Sequence, residues 1–320
     1  MPSLQPDRFV NVGRHRLHLR CEGDAGPSVI FDSAVGASSL SWSLVQSGVA
    51  RAARACTYDR AGFSWSEAGP LPRTAGRIAD ELHELLVRAG IPPPYLLVGH
   101  SFGGLVMQLF ASRHREAVAG LILIEPAHPE DWTQPSEEQR TLIARGVRLC
   151  RYGAAAARMG VARGVALLVE LGAIGPARAL VALVSRGGLR REDEGILAPI
   201  WKLSPDARAV LQRAWTQPKF FEALGSQIEF IGQSAAEVAR EARDDYGDLP
   251  LVVMAGAGAE RRLEADAALA RRSTRGRHII VAETGHWIPI DAPDAVVETI
   301  VETVAGIRET GLTETDWLKR

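Results

Sequence analysis

The stretch Leu97-Val-Gly-His-Ser101-Phe-Gly-Gly104 carries the most chemical information in the chain. It has the form G-x-S-x-G, follows an apolar run that reads as a strand, and opens a run that reads as a helix. A serine on a tight strand–helix turn projects its hydroxyl above a sheet edge, where a base can reach it. Glycines on either side leave room for strand and helix to cross closely. The turn also aims the backbone N–H of Phe102, at a helix N-terminus, toward a developing oxyanion. A serine hydroxyl is a weak nucleophile until a base takes its proton. Of the eight histidines, His286 fits the role of that base, because in Thr284-Gly-His-Trp287 it follows a strand-like run and a glycine turn. Serine before acid before histidine is the chain order of a nucleophile carried on such an elbow.

These groups need a sheet to hold them. Ser28–Asp32, Ala55–Tyr58, Tyr95–Val98 and Gly120–Ile124 are short apolar runs of the kind buried on both faces. Between them, Leu40–Ala53, Thr74–Ala89 and Phe102–His114 show helical spacing. Ile78, Leu82, Leu85 and Leu86 mark one face of the second, and Gly90 and Pro92 stop it. Such alternation predicts an α/β fold, a mostly parallel, doubly wound sheet of about eight strands. Arg8–Val12 and Arg16–Cys21 alternate instead, predicting an antiparallel hairpin at one edge. From residue 127 to 248 the strand signal vanishes, and helical stripes such as Val161, Val165, Leu168 and Leu171 take over. A stretch of about 120 residues is too long for a loop and predicts a helical insertion. Residues 1–126 and 249–320 then form the core. Its second part reads as strand Leu249–Met254, helix Arg262–Ser273, strand Arg277–Val281 and a closing helix Asp291–Ile307, with Asp291 as N-cap.

Composition narrows the partners. The 320 residues are 46% hydrophobic, enough for a full core, and Lys+Arg 37 nearly cancel Asp+Glu 38. No strong field would draw the chain to nucleic acid or an acidic membrane surface, so a small-molecule substrate is expected. Val161–Leu189 is broken by Arg163, Glu170, Arg178 and Arg186, which argues against membrane insertion. Met1–Val10 has no apolar centre, and no signal peptide is expected. Cys21, Cys56 and Cys150 are scattered and expected to be reduced, which favours the cytoplasm. No metal or cofactor is expected. His114 and His128 lack ligand spacing, and the G-x-G at Gly256 and Gly258 lacks its third glycine.

The chain resembles the capped α/β-hydrolases with a serine nucleophile, esterase-like members above all. The resemblance covers nearly all of the sheet-forming sequence. It includes Tyr58-Asp-Arg60-Ala-Gly-Phe-Ser-Trp-Ser66, similar to the D-R-x-G-x-G-x-S turn of that superfamily, and Thr284–Trp287, similar to its histidine loop. It implies a carboxylesterase-like hydrolase that cleaves an ester or related acyl bond through an acyl-enzyme. A C–C hydrolase, a peptidase, an acyltransferase or a binding protein without turnover are the alternatives on the same constellation. Dehalogenases and epoxide hydrolases of the superfamily use an aspartate nucleophile where this chain has Ser101.

Most relatives place the triad acid in the turn after the strand matching Leu251–Met254, but Ala255-Gly-Ala-Gly-Ala-Glu260 holds no aspartate. Two carboxylates remain, Glu125 at the end of the strand Leu121–Ile124 and Glu260 in the usual turn. A carboxylate closing an apolar strand is costly to bury without a partner, which favours Glu125. The resemblance places the second oxyanion N–H at Val35, in Ser33-Ala-Val-Gly36. Ala34, His100, Trp132 and Trp287 are expected around the substrate, His100 either there or in packing. Trp201, Trp215, Phe220 and Phe221 are further candidates for an apolar pocket under the insertion. Asp59 is expected to stabilise its own turn beside Arg60.

Overall fold

The computed structural model describes residues 8–171, 173, 198–257 and 262–309. Eight strands form one sheet in the order β1-β2-β4-β3-β5-β6-β7-β8. They are β1 Arg8–Asn11, β2 Arg16–Glu22, β3 Ser28–Asp32, β4 Arg54–Tyr58, β5 Tyr95–His100, β6 Val118–Ile124, β7 Leu251–Gly256 and β8 Gly276–Val281. The predicted hairpin is present: β1 pairs antiparallel with β2, and β2 antiparallel with β4. All other pairs are parallel. The central strands β3, β5, β6 and β7 are buried throughout, whereas the edge strands β1 and β8 are largely exposed. Continuous apolar sequence therefore marks the centre of the sheet, and mixed sequence its edges.

Helices cover both faces. Along the described chain they are α1 Gln46–Ala50, α2 Ala75–Ala89, α3 Phe102–Arg113, α4 Pro129–Thr133, α5 Glu137–Arg158, α6 Val161–Glu170, α7 Pro205–Ala214, α8 Pro218–Glu229, α9 Ile231–Glu241, α10 Leu263–Ala270, α11 Ile288–Asp291 and α12 Pro293–Arg308. Strand side chains alternate between two cores. Ile30, Leu97, Leu121, Leu123, Leu251 and Val253 pack with α2 and α3, and Val29, Phe31, Val98, Ile122, Ile124 and Val252 pack with α1 and α12. Thr74 caps α2 by accepting from the N–H of Arg77, and Gly90 ends it at φ 67°, a left-handed conformation that glycine adopts without strain.

Several expectations are corrected. Leu40–Ala53 is a 3-10 turn over Ser39–Trp42 followed by the short α1. Serines compete with the helix for backbone groups there, and the Ser41 hydroxyl donates to the Ser38 carbonyl. Asp291 does not cap the closing helix; Ala292 stands at its N-cap, and Asp291 ends α11 and pairs with Lys202. The largest correction concerns cysteine. Cys21 and Cys56 lie opposite each other in the β2–β4 ladder and form a disulfide, while Cys150 is free and buried. Scattered positions in sequence became neighbours through antiparallel pairing. The argument for a cytoplasmic chain from reduced cysteines falls with that bond.

Between β6 and β7 the described chain is helical, α4 to α9. Helix α9 grips the core: the Ser234 hydroxyl accepts from the N–H of Ala75, and Glu237 accepts from the N–H of Gly76, at the start of α2. Among the described residues no helix is long and apolar enough to cross a membrane.

Candidate active site

Ser101 sits between β5 and α3 at φ 55° and ψ −116°, off the usual regions for a residue with a side chain. The strain expected of an elbow is present, and the glycines around it explain how it is tolerated. A Cβ on Gly99 would lie 2.6 Å from the Gly103 carbonyl oxygen, and one on Gly103 would lie 2.5 Å from that of Asp32. Both obstacles are backbone, so no side chain fits at either position. Ser101 is half-buried, and among the described residues the N–H of Phe102, next in the chain, has no hydrogen-bond partner.

Glu125 follows β6, also at positive φ, 45°. Its N–H donates to the carbonyl of Met254, and its neighbour Ala127 donates to the carbonyl of Ser101. The carboxyl is 7% exposed. One oxygen accepts from the N–H of Gly256 at 2.5 Å, and the other lies 3.5 Å from Nδ1 of His286. Burial pulls its pKa up, but the hydrogen bonds from His286 and Gly256 outweigh it and hold the group below the ordinary carboxylate value. The partner that a carboxylate at this place requires is therefore His286. Glu260 lies outside the described residues.

The imidazole of His286 is 42% exposed. Its backbone carbonyl accepts from Nε2 of His100 at 2.7 Å, and the two rings stand 5.0 Å apart. The structure thus places His286 beside the residue that precedes Ser101. Among the described residues no hydrogen bond joins Ser101 to His286.

The loop that carries Val35 follows β3. Ala34 is buried and Val35 half-buried, and the N–H of Val35 has no partner among the described residues. His100 is fully buried, so it packs and tethers the histidine loop rather than lining a surface. Burial, reinforced by the nearby His286, pushes its pKa down to about 3, and it stays neutral. Trp287 packs with Leu40, Leu203 and Ile290, joining the histidine loop to the insertion. Trp132 packs against the core, and Trp201 is exposed. Trp215 and Phe220 pack with Phe63, and Phe221 lines a cavity of about 500 Å³ between α5 and α8 that no site residue borders. The Asp59 carboxyl accepts from the N–H groups of Trp65, in its own turn, and of Ser39, and lies 2.9 Å from Nδ1 of His18, while its backbone carbonyl accepts from the Ser66 hydroxyl. His128 pairs with buried Asp266 at 2.8 Å.

Sequence reasoning missed Gly256 as the donor to Glu125. A Cβ there would lie 2.8 Å from the Thr284 carbonyl oxygen, so the glycine lets the histidine loop approach. The incomplete G-x-G is the one signal the sequence carries for it, and it resembles a failed nucleotide motif.

The alpha/beta hydrolase fold family matches residues 27–293, and the chain belongs to it. Among curated relatives, an uncharacterised protein of Bacillus subtilis, YqjL, is 34% identical over 113 residues, 35% of this chain and 44% of that protein. The chain spans less than half the length of the curated relatives it matches first. Among solved structures, a thermophilic esterase of Thermogutta terrifontis superposes with TM-score 0.60 at 19% identity, covering 92% of this chain and 94% of that one. An epoxide hydrolase of Vigna radiata gives TM-score 0.66 at 16% identity, over 93% and 97%. At such identities the structures share the fold alone.

Proposed function

We propose that the chain is a serine hydrolase that cleaves an ester or related acyl bond of a small, apolar substrate. The observation that carries this reading is the pairing of Glu125 with Nδ1 of His286, beside a strained Ser101. A carboxylate on Nδ1 keeps Nε2 as the basic nitrogen, the tautomer that can take a proton from serine. Ser101 Oγ bonds to the acyl carbon while its proton passes to His286. The N–H groups of Phe102 and Val35 hold the oxyanion. Collapse breaks the bond to the leaving alcohol, which takes the proton from His286, and water then releases the acid by the same steps.

Residues 127–248 serve in this reading as a cap. The apolar cluster of Leu40, Leu203, Ile290, Trp65 and Trp287 supports it, because it joins the insertion to the histidine loop. The epoxide hydrolase likeness does not redirect the chemistry, since aspartate is the nucleophile of that reaction and this chain has serine. A fluorophosphonate probe should label the wild-type protein and leave Ser101→Ala unlabelled. Equal labelling of both would overturn the assignment.

A further inference from the structure

The turn that carries Asp59 and Arg60 does more than brace itself. Arg60 is 3% exposed, and each face of its guanidinium edge is engaged. Nε donates to Asp32 at 2.8 Å, Nη1 to the carbonyl of Ala34 at 3.2 Å, and Nη2 to the carbonyl of Ser33. Its carbon centre stands 5.0 Å from the ring of Phe102. One buried side chain therefore touches the loop that carries Val35 and the residue that follows Ser101.

In a trans peptide the C=O of one residue and the N–H of the next point in opposite directions. Holding the carbonyls of Ser33 and Ala34 on the guanidinium turns the N–H groups of Ala34 and Val35 away from it. The loop has no room to rotate back. Gly103 packs so closely that a Cβ there would lie 2.9 Å from the Ser33 oxygen, and Asp59 fixes the far end by accepting from the N–H of Ser39 at 2.8 Å. Asp32 balances the buried charge and also accepts from the N–H of Ser33 at 2.9 Å.

We propose that Arg60 is the positioning residue of the oxyanion hole: it clamps the peptide planes at Ser33 and Ala34 so that the Val35 N–H meets the oxyanion formed at Ser101. The proposal rests on the reading of Ser101 as nucleophile. It predicts that Arg60 governs stabilisation of the tetrahedral state and leaves ground-state binding alone.

The test compares wild type with Arg60→Lys and with the double variant Arg60→Met/Asp32→Leu, which removes the buried pair without stranding a charge. Urea unfolding identifies the folded variants. Their kcat and KM are measured on p-nitrophenyl butyrate, and their inhibition constants with butaneboronic acid, which forms a tetrahedral adduct with serine. Losing one oxyanion donor lowers kcat by about 10²–10³-fold. The double variant should approach that loss, and Arg60→Lys should lose about 10-fold, both with KM within about 3-fold of wild type and boronate affinity falling in parallel with kcat. A folded variant with wild-type kcat and boronate affinity overturns the clamp, as does a loss confined to KM. Should wild type itself fail to take the fluorophosphonate label, the serine reading fails first, and the two failures are told apart.

Discussion

The two flanks of Ser101 are built on different principles. On the side of the Val35 loop, Asp32, Arg60 and Phe102 are buried, and the loop is held at Ser33, Ala34 and Ser39 by side chains from one neighbouring turn. On the histidine side, His286 is 42% exposed and meets Glu125 at 3.5 Å. The His100 ring holds the loop itself, donating from Nε2 to the His286 carbonyl. Preorganised N–H dipoles stabilise charge only if they do not have to reorganise, so a stiff first flank suits the oxyanion role proposed for it. In the proposed reaction the imidazole accepts a proton from one oxygen and delivers it to another, and a looser seat allows both.

Breaking the histidine side should show the largest effect. Glu125→Gln keeps the shape but no longer selects the basic tautomer, so kcat on a p-nitrophenyl ester should fall roughly 10³–10⁴-fold with little change in stability. Full activity in that variant would move the acid elsewhere, and Glu260→Gln would then be the variant to measure.

A pair of glycine variants contrasts the stiffness of the flanks. Gly103→Ala drives a methyl group into the Asp32 backbone at 2.5 Å and should cost about 2–4 kcal/mol in urea unfolding. On the histidine loop, a Cβ on Gly285 would meet nothing within 4 Å, and Gly285→Ala should stay within about 0.5 kcal/mol. Equal costs would erase the distinction drawn between the flanks.

A pH dependence of stability separates the flanks in another way. His100 is held down to about 3, against 6.5 for a free imidazole. Between these values the unfolded chain binds a proton that the native one refuses. The stability linked to His100 is therefore complete above pH 6.5 and lost as the pH falls toward 3, by up to ~1.4 kcal/mol per pH unit. His100→Asn should flatten the acid limb of stability measured by urea titration across that range. An unchanged limb would mean that His100 takes up its proton in the folded state.

Much of this is legible in the sequence because it is local. An elbow serine needs its glycines within two residues, so Ser101 and Phe102 stand out as candidates, whereas Gly285, where a Cβ would meet nothing within 4 Å, marks only the turn before His286. The buried centre of the sheet shows as unbroken apolar runs, and its antiparallel edge as alternation. Glu125 is legible only through cost, since an apolar strand should not end in an unpaired carboxylate. Its donor Gly256 lies 131 residues further on and is marked only by the incomplete G-x-G. The serine-rich entry to α1 misleads the helix assignment because side-chain hydroxyls compete with the backbone there.

By itself the amino-acid order determined the fold and the hydrolase family, and it singled out Ser101 and His286 as candidates, because those signals follow from spacing along one strand, one turn or one helix. The tertiary structure alone decided that Cys21 meets Cys56, that Glu125 meets His286, and that Arg60 grips the loop ahead of Val35. Each of these joins segments far apart in the chain. Such contacts depend on strand order and register, which are set by the packing of the whole sheet and leave no mark on any short stretch of sequence.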